Sequence, residues 1–454
     1  MRWLYTSALS VALAGVVGLP AAVPADAPAS PTKKKSTKRR KATRARATPP
    51  AVSPKVKAAA EERVSEWIDA QRGLEVENAA ALVPFFEQLA RRQSGEAQGP
   101  LHILHYGDSH TAADEWTGSL RGYFQARFGV GGGGYSLAGY PFLGYRRLDL
   151  RSGASRGWRS EGLVGRENDG MNGLGGISVW TTRPHEFVFV QAECQTLELF
   201  YLQQPDGGSF ELFDNGEPVE RIATAGELGP GYFRREVAAG PHRFRIETLN
   251  RAPVRLFGWV TENASGVTYE TLGINGAQAS IVANWNEELL ASHLARRDPA
   301  LIVLAYGTND ASNRDWTHES YRQMFAGLIE RLRKAAPAAS ILVVGPPDRY
   351  YRTQGKWAPF QNIDMILEAQ REAALTGGCA FWDLRARMGG KGAMRQWVLA
   401  GRAQYDYVHF TAAGYRDLGQ VMFRDLMEQY GAFLEARDKV LIGHSSNGST
   451  SEDH

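Results

Sequence analysis

The sequence predicts an α/β fold, a parallel sheet with helices on both faces, interrupted by an inserted all-β sandwich. Two observations predict it. Short apolar strands alternate with amphipathic helices near residue 100 and again after Gly273, the pattern of a parallel sheet with crossover helices. Between them, from 131 to 265, alternating strand runs are punctuated by Gly-rich turns, including Asn215-Gly216, a hairpin signal. Because the α/β pattern starts before this stretch and resumes after it, the β module reads as an insertion at a surface loop.

The elements follow in order. Residues 1–24 carry one Arg, an apolar run from Trp3 to Leu19 and then Pro20 with small residues, which resembles a secretory signal or an anchor. Residues 25–55 are rich in Pro, Ala, Lys and Arg without apolar periodicity, the composition of a disordered basic linker. Residues 56–130 open with Val64, Trp67 and Ile68, then Leu82, Phe85, Phe86 and Leu89, two helical faces at i, i+3, i+4 spacing. A strand at 101–106 then runs into Gly107-Asp108-Ser109, followed by a helix start at Thr111 and Asp114. After the insertion, 266–436 form the remainder of the α/β domain. They carry a helix with Ile281, Trp285 and Leu289, strands at 301–306, 341–344 and 380–382, and helices around Phe325, 363–374 and Leu418. Residues 437–454 read as a disordered tail.

Charge and cysteine narrow the function classes. The formal net charge is +3, but nine Lys and Arg lie between Lys33 and Arg46, so the remainder is mildly acidic. Any basic partner surface is therefore local: the basic arm suits anionic envelope polymer or a membrane surface, and nucleic acid is not an expected partner of an exported chain. That arm also argues for cytoplasmic retention, since positive charge after an apolar run tends to stay inside; export is the preferred reading, to the periplasm or cell envelope, with N-terminal anchoring open. Cys194 and Cys379 read as small buried residues. No His-Glu-x-x-His or paired Cys-x-x-Cys spacing occurs, so neither a metal nor another cofactor is implied.

Three short motifs carry chemistry: Gly107-Asp108-Ser109, Gly307-Thr308-Asn309-Asp310 and Asp406-Tyr407-Val408-His409. Each follows a strand or precedes a helix, so all can meet at the carboxyl edge of the sheet. Alone, Ser109 suits a turn or cap, and Asp406 with His409 suits a loop pair. Together they supply what acyl transfer needs: a hydroxyl, a base to take its proton, and a carboxylate to hold the base. Asn309 offers a side-chain donor, and Gly276 and Ser109 offer backbone N–H groups, for a developing oxyanion. His110, next to Ser109, suits a structural or substrate-shaping role. Trp158, Trp180 and Trp259 suit either sugar stacking or the core of the inserted module.

The set of motifs resembles the SGNH, or GDSL-type, hydrolases, whose blocks match in order at Gly107-Asp108-Ser109, at Gly276 within Gly273-Ile274-Asn275-Gly276, at Gly307-Thr308-Asn309-Asp310 and at Asp406 to His409. The Pro that usually follows the final His is Phe410 here. The resemblance covers about 270 residues in the two parts of the α/β domain and implies a flavodoxin-like three-layer fold. It implies Ser109 as nucleophile, His409 as base and then acid, Asp406 as its partner, and Ser109, Gly276 and Asn309 as the oxyanion hole. Gly107-Asp108-Ser109-His110-Thr111 with a β module inserted after it is similar to bacterial peptidoglycan O-acetylesterases, which implies an acetylated polysaccharide substrate and a carbohydrate-binding role for the insertion. The expected function is O-acetyl removal from an envelope polysaccharide. The same triad would serve an O-acetyltransferase or a lipid esterase, and a non-catalytic glycan-binding protein is the alternative from another class.

Overall fold

The computed structural model describes residues 52–70 and 76–447; the signal or anchor and most of the basic linker lie outside them. The α/β domain is built on six strands: β1 (Val76–Glu77), β2 (Gly99–Gly107), β3 (Ser265–Gly273), β4 (Leu301–Ala305), β5 (Ser340–Val344) and β6 (Ala380–Trp382). Their order is β1-β6-β5-β4-β2-β3. All neighbours pair in parallel except β1, which runs antiparallel to β6. The sheet is mostly parallel, as the sequence predicts, with one antiparallel strand at its edge. β1 is only two residues long, too short to show a strand periodicity.

Strand side chains alternate between two cores, because successive residues point to opposite faces. Leu301 and Val303 of β4 and Leu342 and Val344 of β5 face one core with helices α1 (Pro54–Asp69), α2 (Val83–Gln93), α3 (Glu115–Phe128) and α7 (Ala412–Asn447). Ile302, Leu304, Ile341 and Val343 face the other, with α4 (Glu287–Arg297), α5 (His318–Ala335) and α6 (Ile363–Thr376). The near-continuous apolar runs of these strands are the signature of a sheet covered on both sides. α5 shows why its residues form a helix: Thr317 and Ser320 make a reciprocal capping box, and Tyr321, Phe325, Leu328 and Leu332 share one buried face.

Two boundaries differ from the sequence reading. The helix expected across Ile281, Trp285 and Leu289 is broken, because Trp285 is extended and the Asn286 side chain caps a new helix by accepting from Leu289 N. At the other end, α7 continues to Asn447, into the segment expected to be a disordered tail. Phe433 and Leu434 still pack on the core, and the chain beyond them is free of helix breakers until Gly443, so the helix propagates past its last packed turn.

The inserted module is a separate antiparallel sheet module whose nine strands are linked by hydrogen bonds. Its two longest strands, Phe187–Gln203 and Gly229–Thr248, pair along most of their length across a bulge between Glu236 and Gly240, where the strands bend. Val188, Val190, Leu197, Leu199, Phe244, Ile246 and Trp259 fill its own core. The opposite face of the same strands, with Phe200 and Leu202, packs on α4 together with Tyr135, Leu137 and Phe257. Tyr232 Oη lies 2.9 Å from Ser292 Oγ, and Leu174 N donates to His293 Nδ1 over 3.0 Å. This contact is as apolar as a domain core, so the module is fixed against the α/β domain.

Candidate active site

β2 ends at Gly107, where a tight turn is compulsory. A Cβ here would stand 2.2 Å from Thr111 Oγ1 and 2.8 Å from Ala305 O. The chain then enters a short helix, Ser109–Ala112, whose start is capped by Asp108: its Oδ1 accepts from His110 N over 2.9 Å. Ser109 therefore stands at the first position of a helix at the carboxyl end of a central strand. Its N–H has no partner among the described residues, the arrangement that favours negative charge.

The loop before α7 comes to meet it. Ser109 Oγ lies 2.8 Å from His409 Nε2, and His409 Nδ1 lies 2.8 Å from Asp406 Oδ2. The second carboxylate oxygen, Asp406 Oδ1, accepts from Val408 N and His409 N, each over 3.0 Å. The three-residue spacing thus lets one turn hold both partners. Burial alone would raise the Asp406 carboxyl, but the His409 ring and the two backbone N–H groups together bring it down to about 2. The bond to Asp406 in turn raises His409 above its ordinary value, against a smaller opposing effect of burial.

β4 delivers Asn309 beside this pair. Asn309 Nδ2 donates to Ala277 O over 3.0 Å and reaches Asp108 Oδ2 at 3.4 Å. Asp310, the next residue, is buried and accepts from Ala279 N and Gly307 N, tying this loop to the one that follows β3. Gly276 lies in that loop with φ 79°, no atom within 4 Å of a Cβ position and no partner for its N–H among the described residues. The structure so brings Ser109, His409 and Asp406 into direct hydrogen-bond contact and joins Asn309 to the Gly276 loop through Ala277.

Neighbouring groups tune the site. Burial pushes Asp108 up to about 7, with the Asp310 charge adding to it and the His110 N–H opposing. His110 is buried, its Nδ1 lies 2.9 Å from Tyr415 Oη, and its ring centroid is 5.3 Å from that of His409. Burial holds His110 down to about 3, so a neutral ring supports His409. Arg349 was missed by the sequence reading: its guanidinium donates to Thr308 O and Ser312 Oγ and lies 4.3 Å from the Phe360 ring centroid. Of the tryptophans, Trp259 is core. Trp158 and Trp180 are half-buried, and their indole N–H groups donate to Phe187 O and Glu161 Oε1.

Comparison with known proteins points the same way. Residues 238–416 match the model of the GDSL-like lipase/acylhydrolase family. A solved structure described as a peptidoglycan O-acetylesterase in action superposes with a TM-score of 0.67 at 29% identity, over 77% of this chain and 96% of that one. The chain resembles the GDSL-like lipase/acylhydrolase family along residues 238–416. It is an SGNH-type serine esterase. The family match begins at residue 238, so the insertion separates the Ser109 segment from the matched stretch. Two more distant structures are a family two carbohydrate esterase from Clostridium thermocellum with cellohexaose (TM-score 0.27, 11% identity, 57% of this chain and 95% of that one) and the salicylyl-acyltransferase SsfX3 (0.27, 11%, 61% and 97%). No curated protein sequence matches.

Proposed function

We propose that this SGNH-type esterase removes O-acetyl groups from peptidoglycan, using Ser109 as nucleophile, His409 as base and acid, and Asp406 as the residue that orients His409. The observation that carries the reading is the unbroken line of 2.8 Å contacts from Ser109 through His409 to Asp406, beside a likeness to a peptidoglycan O-acetylesterase. Ser109 Oγ attacks the acetyl carbonyl as its proton passes to His409 Nε2. The oxyanion is met by the N–H groups of Ser109 and Gly276 and the amide of Asn309, which exchanges its long 3.4 Å contact to Asp108 for the substrate. Collapse expels the sugar hydroxyl, which takes the proton from His409. Water then attacks the acetyl-Ser109 carbonyl, giving its proton to His409, and acetate leaves as Ser109 is reprotonated.

A polysaccharide substrate is supported by the surface beside Gly276. A cavity of about 190 Å³ lined by Gly276 and Gln278 shares Leu163 and Arg166 with one of about 610 Å³ lined by Trp158 and Trp180. The groove so runs from the esterase loops onto the inserted module. Its larger part has the volume of a small-ligand site, roughly 300–1,000 Å³. Export to the cell envelope belongs to the same reading and rests on the apolar run from Trp3 to Leu19.

The test is acetate release from O-acetylated peptidoglycan by the full chain, beside an aryl acetate. Release from both supports the proposal; turnover of the aryl ester alone sinks the peptidoglycan substrate and keeps the esterase. The pH profile tests the Asp406 role. His409 works as a base when neutral, so kcat/KM is expected to rise with pH through a value above 6.5, the ordinary histidine value. Asp406→Asn removes the partner that raises His409, so this limb moves to lower pH, and kcat falls by about 10²–10⁴-fold. An unmoved limb with kcat intact would remove Asp406 from the mechanism.

A further inference from the structure

Beside the His409 loop stands a hairpin, Tyr350–Thr353 paired with Lys356–Pro359, apart from both larger sheets. Its turn residues Gln354 and Gly355 both have positive φ, 47° and 77°, the geometry of a tight two-residue hairpin loop. Two strands alone are marginal in water, and this pair is held by other parts of the domain. Tyr350 N donates to Tyr407 O over 3.0 Å, Tyr350 Oη to Gly392 O over 3.1 Å, and Phe360 N to Arg349 O over 2.9 Å.

The hairpin presents Trp357. One face of its indole stacks on Tyr407, with centroids 4.6 Å apart and planes 27° from parallel. Tyr407 is the residue between Asp406 and Val408, and its backbone is left-handed at φ 59°, a conformation that an aromatic residue adopts only when its surroundings impose it. Trp357 nevertheless remains 40% exposed. With one face covered by Tyr407, the exposed area belongs to the other face and the ring edge. Tyr405, 42% exposed, stands two residues before Tyr407. Arg352, also exposed, pairs directly with Trp357 across the hairpin, so both side chains lie on the same face.

We propose that the open face of Trp357 is a stacking subsite for a pyranose ring of the substrate glycan, on the His409 side of the reacting ester. The chemistry fits. The C–H-lined face of a sugar ring is attracted to the negative face of an indole, and the Arg352 guanidinium beside it supplies donors for ring hydroxyls. The inner face of the same indole holds Tyr407, so a sugar seated there presses on the loop that carries Asp406 and His409. The cavity toward Trp158 and Trp180 is lined by residues of the Gly276 loop, whereas Trp357 stacks on the loop of His409, so the two surfaces rest on different catalytic loops. The inference rests on the polysaccharide reading above.

The experiment measures binding and turnover separately. In Ser109→Ala protein, which holds substrate without turning it over, N-acetylhexosamine oligosaccharides lacking O-acetyl groups are titrated by calorimetry. Adding Trp357→Ala is expected to weaken binding at least tenfold, while Trp357→Phe retains most of it. In the active enzyme, Trp357→Ala is expected to lower the ratio of kcat/KM on acetylated glycan to that on aryl acetate at least tenfold, through KM. Binding unchanged by Trp357→Ala, or no glycan binding by the parent, overturns the subsite. An equal loss on both substrates, with a moved pH limb, also overturns it and leaves Trp357 as a support for Tyr407 alone. Failure of the peptidoglycan reading looks different: the parent binds oligosaccharide and cleaves aryl acetate but releases no acetate from peptidoglycan.

Discussion

Ser109→Ala is expected to lower kcat/KM on a short-chain aryl acetate by about 10⁴-fold or more, the scale on which serine hydrolases lose rate when the nucleophile is removed. The protein should remain folded, because Ser109 is not wholly buried and its hydroxyl makes one hydrogen bond, to His409. A residual rate above water would remain, since the free N–H groups at Ser109 and Gly276 and the Asn309 amide still meet a developing oxyanion. Steady-state kinetics with a circular-dichroism melt checks both parts. A variant that keeps more than a tenth of the activity would take Ser109 out of the chemistry.

Asp114→Ala is expected to cost about 3–5 kcal/mol of stability, as does breaking a buried ion pair from one side. Asp114 is completely buried; it accepts from Arg121 at 2.5 and 3.1 Å, from Thr117 at 2.8 Å and from Leu148 N at 2.6 Å. Arg147, also buried, lies 3.8 Å away and holds Gly133 O and Tyr135 O. Deleting the carboxylate leaves two guanidinium groups with only Asp149 for a charge partner and leaves Leu148 N without its acceptor. Burial opposes ionisation of Asp114, but the charges of Arg121 and Arg147 outweigh it and hold the carboxyl below its ordinary value of 3.8. Its contribution is therefore complete above about pH 4 and is lost as pH falls through the lowered value. Urea unfolding at pH 7 and at pH 3 checks the size and the sign: the difference between parent and variant should shrink at the lower pH.

The layers of the α/β domain were legible because β4 and β5 are apolar on both faces and β2 and β4 each run into a motif. Gly107-Asp108-Ser109 and Asp406 to His409 could be paired from sequence because one needs what the other supplies. What stayed hidden was set by tertiary contact. Asp114 and Tyr407 adopt left-handed backbones that neither residue prefers. The hairpin carrying Trp357 turns at Gln354-Gly355, where Gln replaces the Asn or Asp that would signal such a loop. The continuity of the nine-stranded sheet depends on pairings such as Gly229 with Gln203, which no local pattern specifies. His110 suits a structural or substrate-shaping role by its place in the sequence, but its partner shows only when Tyr415, some 300 positions away, is brought to 2.9 Å.

The placement of the insertion governs when this enzyme can come alive on the ribosome. β2 has no neighbour in its sheet that precedes residue 265; both of its partners, β3 and β4, are synthesised after the whole inserted module. The module, with its own core, has its strands complete by Glu262, so it can collapse first while β2 waits unpaired. Ser109 and His409 are 300 residues apart, which at roughly 5–20 residues per second is about 15–60 s of translation. A nascent chain therefore carries the reactive serine long before the histidine that would activate it.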